Sequence, residues 1–269
     1  MDIHIESRWG VTSYFLLAFL IIFSGTFVSD SSAEESRAPR IVFLCAEKEY
    51  STEVTLPQFA KEHLSDEEVE FVFAKEDERD ALSSHLPIVS ADLLVISVRR
   101  RALPAEQLLA IKQYVASGKP VIGIRTANHA FALRNDQPPV GHAVWDDFDQ
   151  VVFGGNYTNH HANDLIVTIN PSAPETDLTP LLLEGVLPLK EAKSRGSLYK
   201  VSPINQKANV LLTGEVVGHP AEPIAWTFVR DDGGRSFYTS LGHPTDFDGD
   251  VLPRLLLNAI GWCLGKVES

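Results

Sequence analysis

Residues 121–131 read Val-Ile-Gly-Ile-Arg-Thr-Ala-Asn-His-Ala-Phe. Four apolar or small residues stop at a charged one, and small residues then lead into helix-forming sequence. In an α/β sheet this is how a strand carries a side chain to the mouth of the fold before the chain turns sharply away. The neighbouring segments repeat the pattern. Arg40 to Ala46 (RIVFLCA) and Ala91 to Val98 (ADLLVISV) are continuous apolar runs, as expected of strands covered on both faces. Val69 to Ala74 alternates as a strand. Thr52 to Leu64 places Val54, Phe59 and Leu64 on a helical spacing, and Pro104 opens a second helix that Gly118 stops. Strand and helix thus alternate as in βαβ units. The expected fold is a doubly wound α/β protein with a mostly parallel sheet, whose ligands collect at the carboxyl ends of the strands.

Beyond residue 133 the rhythm breaks. From Leu133 to Asn163 the chain is rich in Pro, Gly, Asn, Asp and His, and irregular segments of that length inside a domain are usually functional. Strand-like pieces resume at Leu165 to Ile169, Ala208 to Thr213, Ile224 to Val229 and Ser236 to Leu241. Asp232-Gly233-Gly234 marks a hairpin between the last two, and a helix closes the chain from Val251 to Leu264. At the other end, Tyr14 to Val28 is apolar and Ser31 and Ala33 have the spacing of a signal-peptidase site. The expectation is an exported protein, periplasmic or secreted, cleaved near Ala33, with residues 38–267 as one domain; an uncleaved anchor is the alternative. The 269-residue chain carries a formal charge of −13. Residues 1–33 hold one basic residue (Arg8) and three acidic ones (Asp2, Glu6, Asp30), so their loss leaves −11. Such a surface repels phosphate backbones and anionic headgroups, which argues against nucleic acid and against membrane beyond the leader. Cys45 and Cys263 both sit in apolar runs and read as buried thiols, although an exported protein could also pair them.

Several residues could carry chemistry. Arg125, with Thr126 and His129 in the same turn, could offer a fork and hydroxyls to an anionic or polyhydroxyl ligand; equally, Arg125 could pair with a local carboxylate. His243 follows the apolar run of the last strand, and Asp246 lies close enough to hold its tautomer. His160 and His161, with Asn156, lie in the loop Gly154 to Asp164 (GGNYTNHHAND), where histidines meet ligands or simply face solvent. One of the pair with His243 could bind a divalent metal, a reading the sequence does not favour because adjacent residues rarely share an ion. Asn156-Tyr157-Thr158 also matches a glycosylation acceptor. Asp246-Phe247-Asp248-Gly249-Asp250 is out of frame for a calcium loop and suits the start of the last helix better. Glu47, Tyr50 and Arg99 follow strands that end on one edge, so all three are candidates to line a site.

Three motifs together resemble the ThuA-like (trehalose-utilisation) family of the glutamine amidotransferase-like superfamily. Gly234 to Phe247 (GRSFYTSLGHPTDF) followed by Leu255 to Gly265 (LLLNAIGWCLG) is similar to that family's C-terminal signature. Val121 to Ala127 (VIGIRTA) resembles its degenerate elbow, with Gly123-Ile124-Arg125 where the superfamily has Gly-Ile-Cys, and Phe153 to Asp164 (FGGNYTNHHAND) its Gly/His loop; within the C-terminal signature His243-Pro244 keeps the strand-end His-Pro with Asp246 displaced by one position. The resemblance implies a flavodoxin-like sheet, loss of the cysteine nucleophile, and a small-molecule carbohydrate as ligand. An enzyme using His243 as acid or base, with Asp246, His160 and Arg125 in support, is one expectation. A non-catalytic sugar-binding domain is the second, and a metal-assisted hydrolase is the third.

Overall fold

The computed structural model describes residue 1 and residues 37–172 and 176–266. The segment expected to act as a signal peptide lies outside the described residues. Residues Ala38–Ser269 form one compact unit. Its elements run β1 (Arg40–Ala46), α1 (Thr52–His63), β2 (Glu68–Lys75), β3 (Glu78–Leu82), α2 (Leu86–Ser90), β4 (Leu93–Val98), α3 (Ala105–Ala116) and β5 (Val121–Ile124). They continue with β6 (Val167–Pro171), α4 (Leu178–Leu182), β7 (Lys193–Ser194), β8 (Asn209–Glu215), β9 (Glu222–Val229), β10 (Arg235–Thr239), α5 (Pro244–Phe247) and α6 (Val251–Cys263). A 3-10 turn spans Arg125–His129 and a π turn spans Asp149–Phe153.

One ten-stranded sheet has the order β7-β6-β8-β9-β10-β5-β4-β1-β2-β3. Its five central strands, β10-β5-β4-β1-β2, are parallel, and antiparallel strands extend both edges. The apolar runs form the centre because a strand covered on both faces needs apolar side chains at every position. In β1, Ile41, Phe43 and Cys45 belong to the core on the face of α1 and α6, while Val42, Leu44 and Ala46 belong to the core on the face of α2 and α3. Each fully buried side chain of this size contributes roughly 1.5–3 kcal/mol. A one-residue slip of β1 would exchange the two sets and lose both packings.

The chain places β2 on one side of β1 and then crosses to place β4 on the other. The connections therefore diverge between β1 and β4, the kind of switch point beside which ligands of open α/β sheets gather. β3 and α2 had no periodic signal: β3 is a short edge strand of Glu-Arg-Asp before Ala-Leu. β6 begins two residues later than the apolar run suggested, because the amide of Leu165 turns back to the carbonyl of Ala162. Cys45 and Cys263 are separate buried thiols, and burial pushes both thiol pKa values up, so neither is a ready nucleophile. Among the described residues no helix is long and apolar enough to cross a membrane.

Candidate functional site

The turn after β5 is an elbow in the literal sense. Arg125 has φ 48°, in the left-handed region that costs a non-glycine residue about 1–2 kcal/mol. Three neighbours hold it there. Gly123 leaves room for the Phe153 ring, whose Cζ would lie 2.4 Å from a Cβ at that position. Gly242, with φ 134°, lets the end of the β10 segment approach Ile124 and Arg125. The Tyr238 hydroxyl donates to the Arg125 carbonyl at 2.6 Å.

The Arg125 side chain corrects both readings drawn from sequence. It is 1% exposed, so it does not present a fork to ligand, and its partners are not carboxylates. Nη1 donates to the Ser240 carbonyl at 2.5 Å. Nη2 donates to the Tyr50 hydroxyl at 3.1 Å and to Ser197, at 3.3 Å to its carbonyl and 3.1 Å to Oγ. The guanidinium lies between the Tyr50 and Tyr199 rings, 4.3 and 4.7 Å from their centroids. At the tip of this elbow stands a buried cationic staple.

Other expected ligand groups are similarly committed. Glu47 accepts from the amides of Glu49, Tyr50 and Thr52 and from the Thr52 hydroxyl at 2.6–3.0 Å, and so shapes the β1–α1 loop. Thr126 is wholly buried. The Tyr50 hydroxyl accepts from Arg125 Nη2. Arg99, at the end of β4, pairs with Glu49 after β1 at 2.7 Å and ties those two strand ends together. His161 is buried with its ring 4.2 Å from that of His219. His160 is half-buried, and its Nδ1 lies 2.6 Å from the His161 carbonyl. Because a carbonyl only accepts, Nδ1 carries the proton and Nε2 keeps its lone pair. Asn156 is half-buried in the same loop.

His243 stands at the end of the β10 segment, half-buried, with its ring 6.4 Å from Tyr50. The expected Asp246–imidazole pair is not formed. Asp246 Oδ2 instead accepts from the amides of Gly242 and His243 and from Ser194 Oγ, at 2.9–3.0 Å, and so fixes the turn into α5. The spacing of three residues suits a capping box, which draws the carboxylate onto the backbone. Thr245 holds the ring: its Oγ1 lies 2.8 Å from Nδ1, and its amide donates to the same nitrogen at 3.3 Å. As the acceptor of that amide, Nδ1 has the lone pair, which leaves Nε2–H turned outward as a donor. Burial, then Arg125 and Arg195, lower the pKa of His243 against the pull of Asp246, so the ring is neutral at pH 7. Among the described residues no group of three His, Cys, Asp or Glu is placed to hold a metal, so His160 and His243 gain no third ligand of those types.

The structure also assembles a cleft that sequence reading missed. A cavity of about 370 Å³ opens beside the elbow, lined by Arg100, Asn128, His129, Arg134, Asp149 and Tyr157 among others. His129 stacks on Tyr157 with centroids 4.4 Å apart, and its Nδ1 is 2.6 Å from Asn128 Oδ1. Burial, then Arg100, Arg99 and Arg134, hold its pKa well below the ordinary value, so it is a neutral imidazole. Asp149 accepts from the Tyr157 amide at 2.7 Å through Oδ2. Burial pushes its carboxyl up to about 7. Asn128 and Asp149 are each 4% exposed, yet Asn128 Nδ2 and Asp149 Oδ1 have no hydrogen-bond partner in the fold. A larger cavity of about 500 Å³ lies between residues 185–193 and the α5–α6 turn and reaches Thr245, but it contains no such orphaned group. Only the Asp-Asp-Phe-Asp run hinted at Asp149, and the left-handed Arg100 (φ 46°) left no trace in the sequence.

Comparison with known proteins follows the same lines. The model of the ThuA family, described as trehalose utilisation, matches residues 40–263. A solved ThuA-like protein of Bacteroides uniformis ATCC 8492 is 17% identical, covering 86% of this chain and 94% of its own, with a TM-score of 0.58. One from Parabacteroides merdae ATCC 43184 is 18% identical, covering 86% and 92%, with the same TM-score. These likenesses establish the fold. No curated protein matches the chain.

Proposed function

The chain belongs to the ThuA trehalose-utilisation family, and on that premise we propose that it is an exported protein that binds a small carbohydrate in the cleft beside the elbow, with His243, which stands beside Tyr50 and outside that cleft's lining, as the candidate acid or base for a ligand long enough to reach it. The cleft beside the elbow carries this reading. A sugar offers many hydroxyls that both donate and accept, and the cleft offers an unpartnered amide donor, an unpartnered carboxyl oxygen and a flat His129–Tyr157 wall for a C–H face. Burying such groups without partners costs free energy, which a polyhydroxyl ligand would recover.

His243 supplies the chemistry in this reading. Its outward Nε2–H is a neutral donor suited to polarise the oxygen of a keto-sugar or glycoside, and proton transfer requires protonation or a switch of tautomer. Thr245 orients it. Glutamine hydrolysis has no place here, because the elbow side chain is a sealed arginine. That same sealing favours a second reading, a non-catalytic sugar-binding domain.

A panel of sugars and oxidised sugars, followed by calorimetry for binding and by NMR for product, separates the two. The enzyme reading expects His243→Ala to keep ligand affinity within a few-fold and to lose turnover by roughly 10²–10⁴-fold. Full turnover in that variant removes His243 from the chemistry. Saturable binding without product establishes the binding domain instead. Export is checked by sequencing the N-terminus of the protein recovered from expressing cells, where a start near Glu34 is expected.

A further inference from the structure

We propose that the cleft beside the elbow selects an acidic sugar, an aldonic or uronic acid, whose carboxylate is held by Arg100 and Arg134 and whose hydroxyls meet Asn128 and Asp149. This rests on the carbohydrate reading above and narrows it to a ligand class.

The two arginines are the first ground. The sequence holds 36 acidic residues against 23 basic ones, so carboxylates are plentiful. Nevertheless, among the described residues neither Arg100 nor Arg134 forms an ion pair, whereas the adjacent Arg99 pairs with Glu49. Both line the cleft. Arg100 is half-buried, donates Nη1 to the Ala132 carbonyl at 3.3 Å, and sits near enough to Arg134 for the two charges to oppose each other. A partly desolvated like-charged pair without a counter-ion is a standing electrostatic cost that a bound anion removes.

The backbone gives the second ground. Arg100 and Arg125 follow neighbouring parallel strands, and both are left-handed at φ 46° and 48°. The amide of Arg100 is tied to the His129 carbonyl at 3.2 Å and that of Arg101 to the Ala130 carbonyl at 2.8 Å. This strain fixes where the Arg100 side chain leaves the backbone, and strained residues of this kind concentrate at ligand sites. The remaining lining explains why the anion should carry one charge and belong to a polyol. Asp146 also lines the cleft, so a dianionic phosphate ester meets more repulsion than a carboxylate does. Asn128 Nδ2, Asp149 Oδ1 and the neutral His129 ring are uncharged or weakly charged partners of the sort hydroxyls use.

The test is calorimetry on the exported chain with glucuronate, gluconate, glucose, glucose 6-phosphate and the non-sugar carboxylate lactate, at low and physiological salt. Acidic sugars are expected to bind at least tenfold more tightly than glucose and than the phosphate ester. Arg100→Asn removes the charge with a residue that tolerates the left-handed region, and should abolish that preference, so that glucuronate binds no more tightly than glucose. Arg134→Gln, at an exposed position where folding is not at risk, should reduce it several-fold. Equal affinity for glucose and glucuronate would overturn this inference and leave the carbohydrate reading intact. So would tighter binding of the phosphate ester. Arg100-dependent binding of lactate without any sugar binding would overturn the carbohydrate reading, and no binding by any probe would overturn both.

Discussion

Arg125 is a charged residue that the fold uses as an internal tie. Its guanidinium sits between two tyrosine rings and supplies donors to Ser240 and Ser197, which reach it from segments more than 70 residues away. Gly196 makes room for it, since a Cβ there would lie 2.6 Å from Nη1. Arg125→Met keeps most of the volume and removes every donor, leaving the buried acceptors of Ser240 and Ser197 unpaired. At about 1–3 kcal/mol for each such group, a loss of roughly 2–4 kcal/mol is expected, read as a lower urea midpoint at unchanged slope. An unchanged midpoint would mean that the rings, and not the hydrogen bonds, hold the elbow. The sequence marked the position but not this outcome, because the partners are close only after folding.

At the scale of elements, the elbow depends on β5 lying flush against the π turn Asp149–Phe153. The Phe153 ring fills the space above Gly123 and is itself enclosed by Phe148 and Tyr238, with centroids 5.4 Å away in each case. Gly123→Ala therefore forces backbone or ring to move, and overpacking of this kind costs typically 1–3 kcal/mol. Phe153→Leu in the same chain should recover part of that loss. The check is a double-mutant cycle of urea midpoints, in which additivity would show that the two positions do not share the space. The strands themselves were legible: RIVFLCA, ADLLVISV and the Asp232-Gly233-Gly234 hairpin form where apolar periodicity and turn residues put them. The irregular middle was legible only as irregular. Its π turn and its loop to His160 are set by packing against β5 and β9, as when Trp226 Nε1 donates to the Phe153 carbonyl at 2.7 Å.

For the molecule as a whole, two buried groups in the cleft give stability opposite dependences on pH. Asp149 has a carboxyl raised in the fold from 3.8 to about 7, so between those values the folded state holds a proton the unfolded chain has released. Its contribution is complete below pH 4 and is lost as pH rises to about 7, by roughly 4 kcal/mol at most. His129 is depressed in the fold, so its contribution is present above about pH 6.5 and lost as pH falls below that. The two trends offset each other from pH 4 to 6.5. Asp149→Asn removes the first, and its advantage over the parent chain in thermal midpoint should grow from pH 4 to pH 7 and then level off. A difference independent of pH would show that Asp149 ionises normally. What the sequence by itself determined was the doubly wound parallel core, its β9–β10 hairpin, its family and the strand ends where a site would gather, because periodicity and turn chemistry act over a few residues. Only the tertiary structure decided that Arg125 is buried, that Asp246 holds backbone while Thr245 holds the imidazole, and that Arg100, Asn128, His129 and Asp149 share one cleft. Burial and unpaired charge are properties of surroundings assembled from distant segments, and no local pattern encodes them.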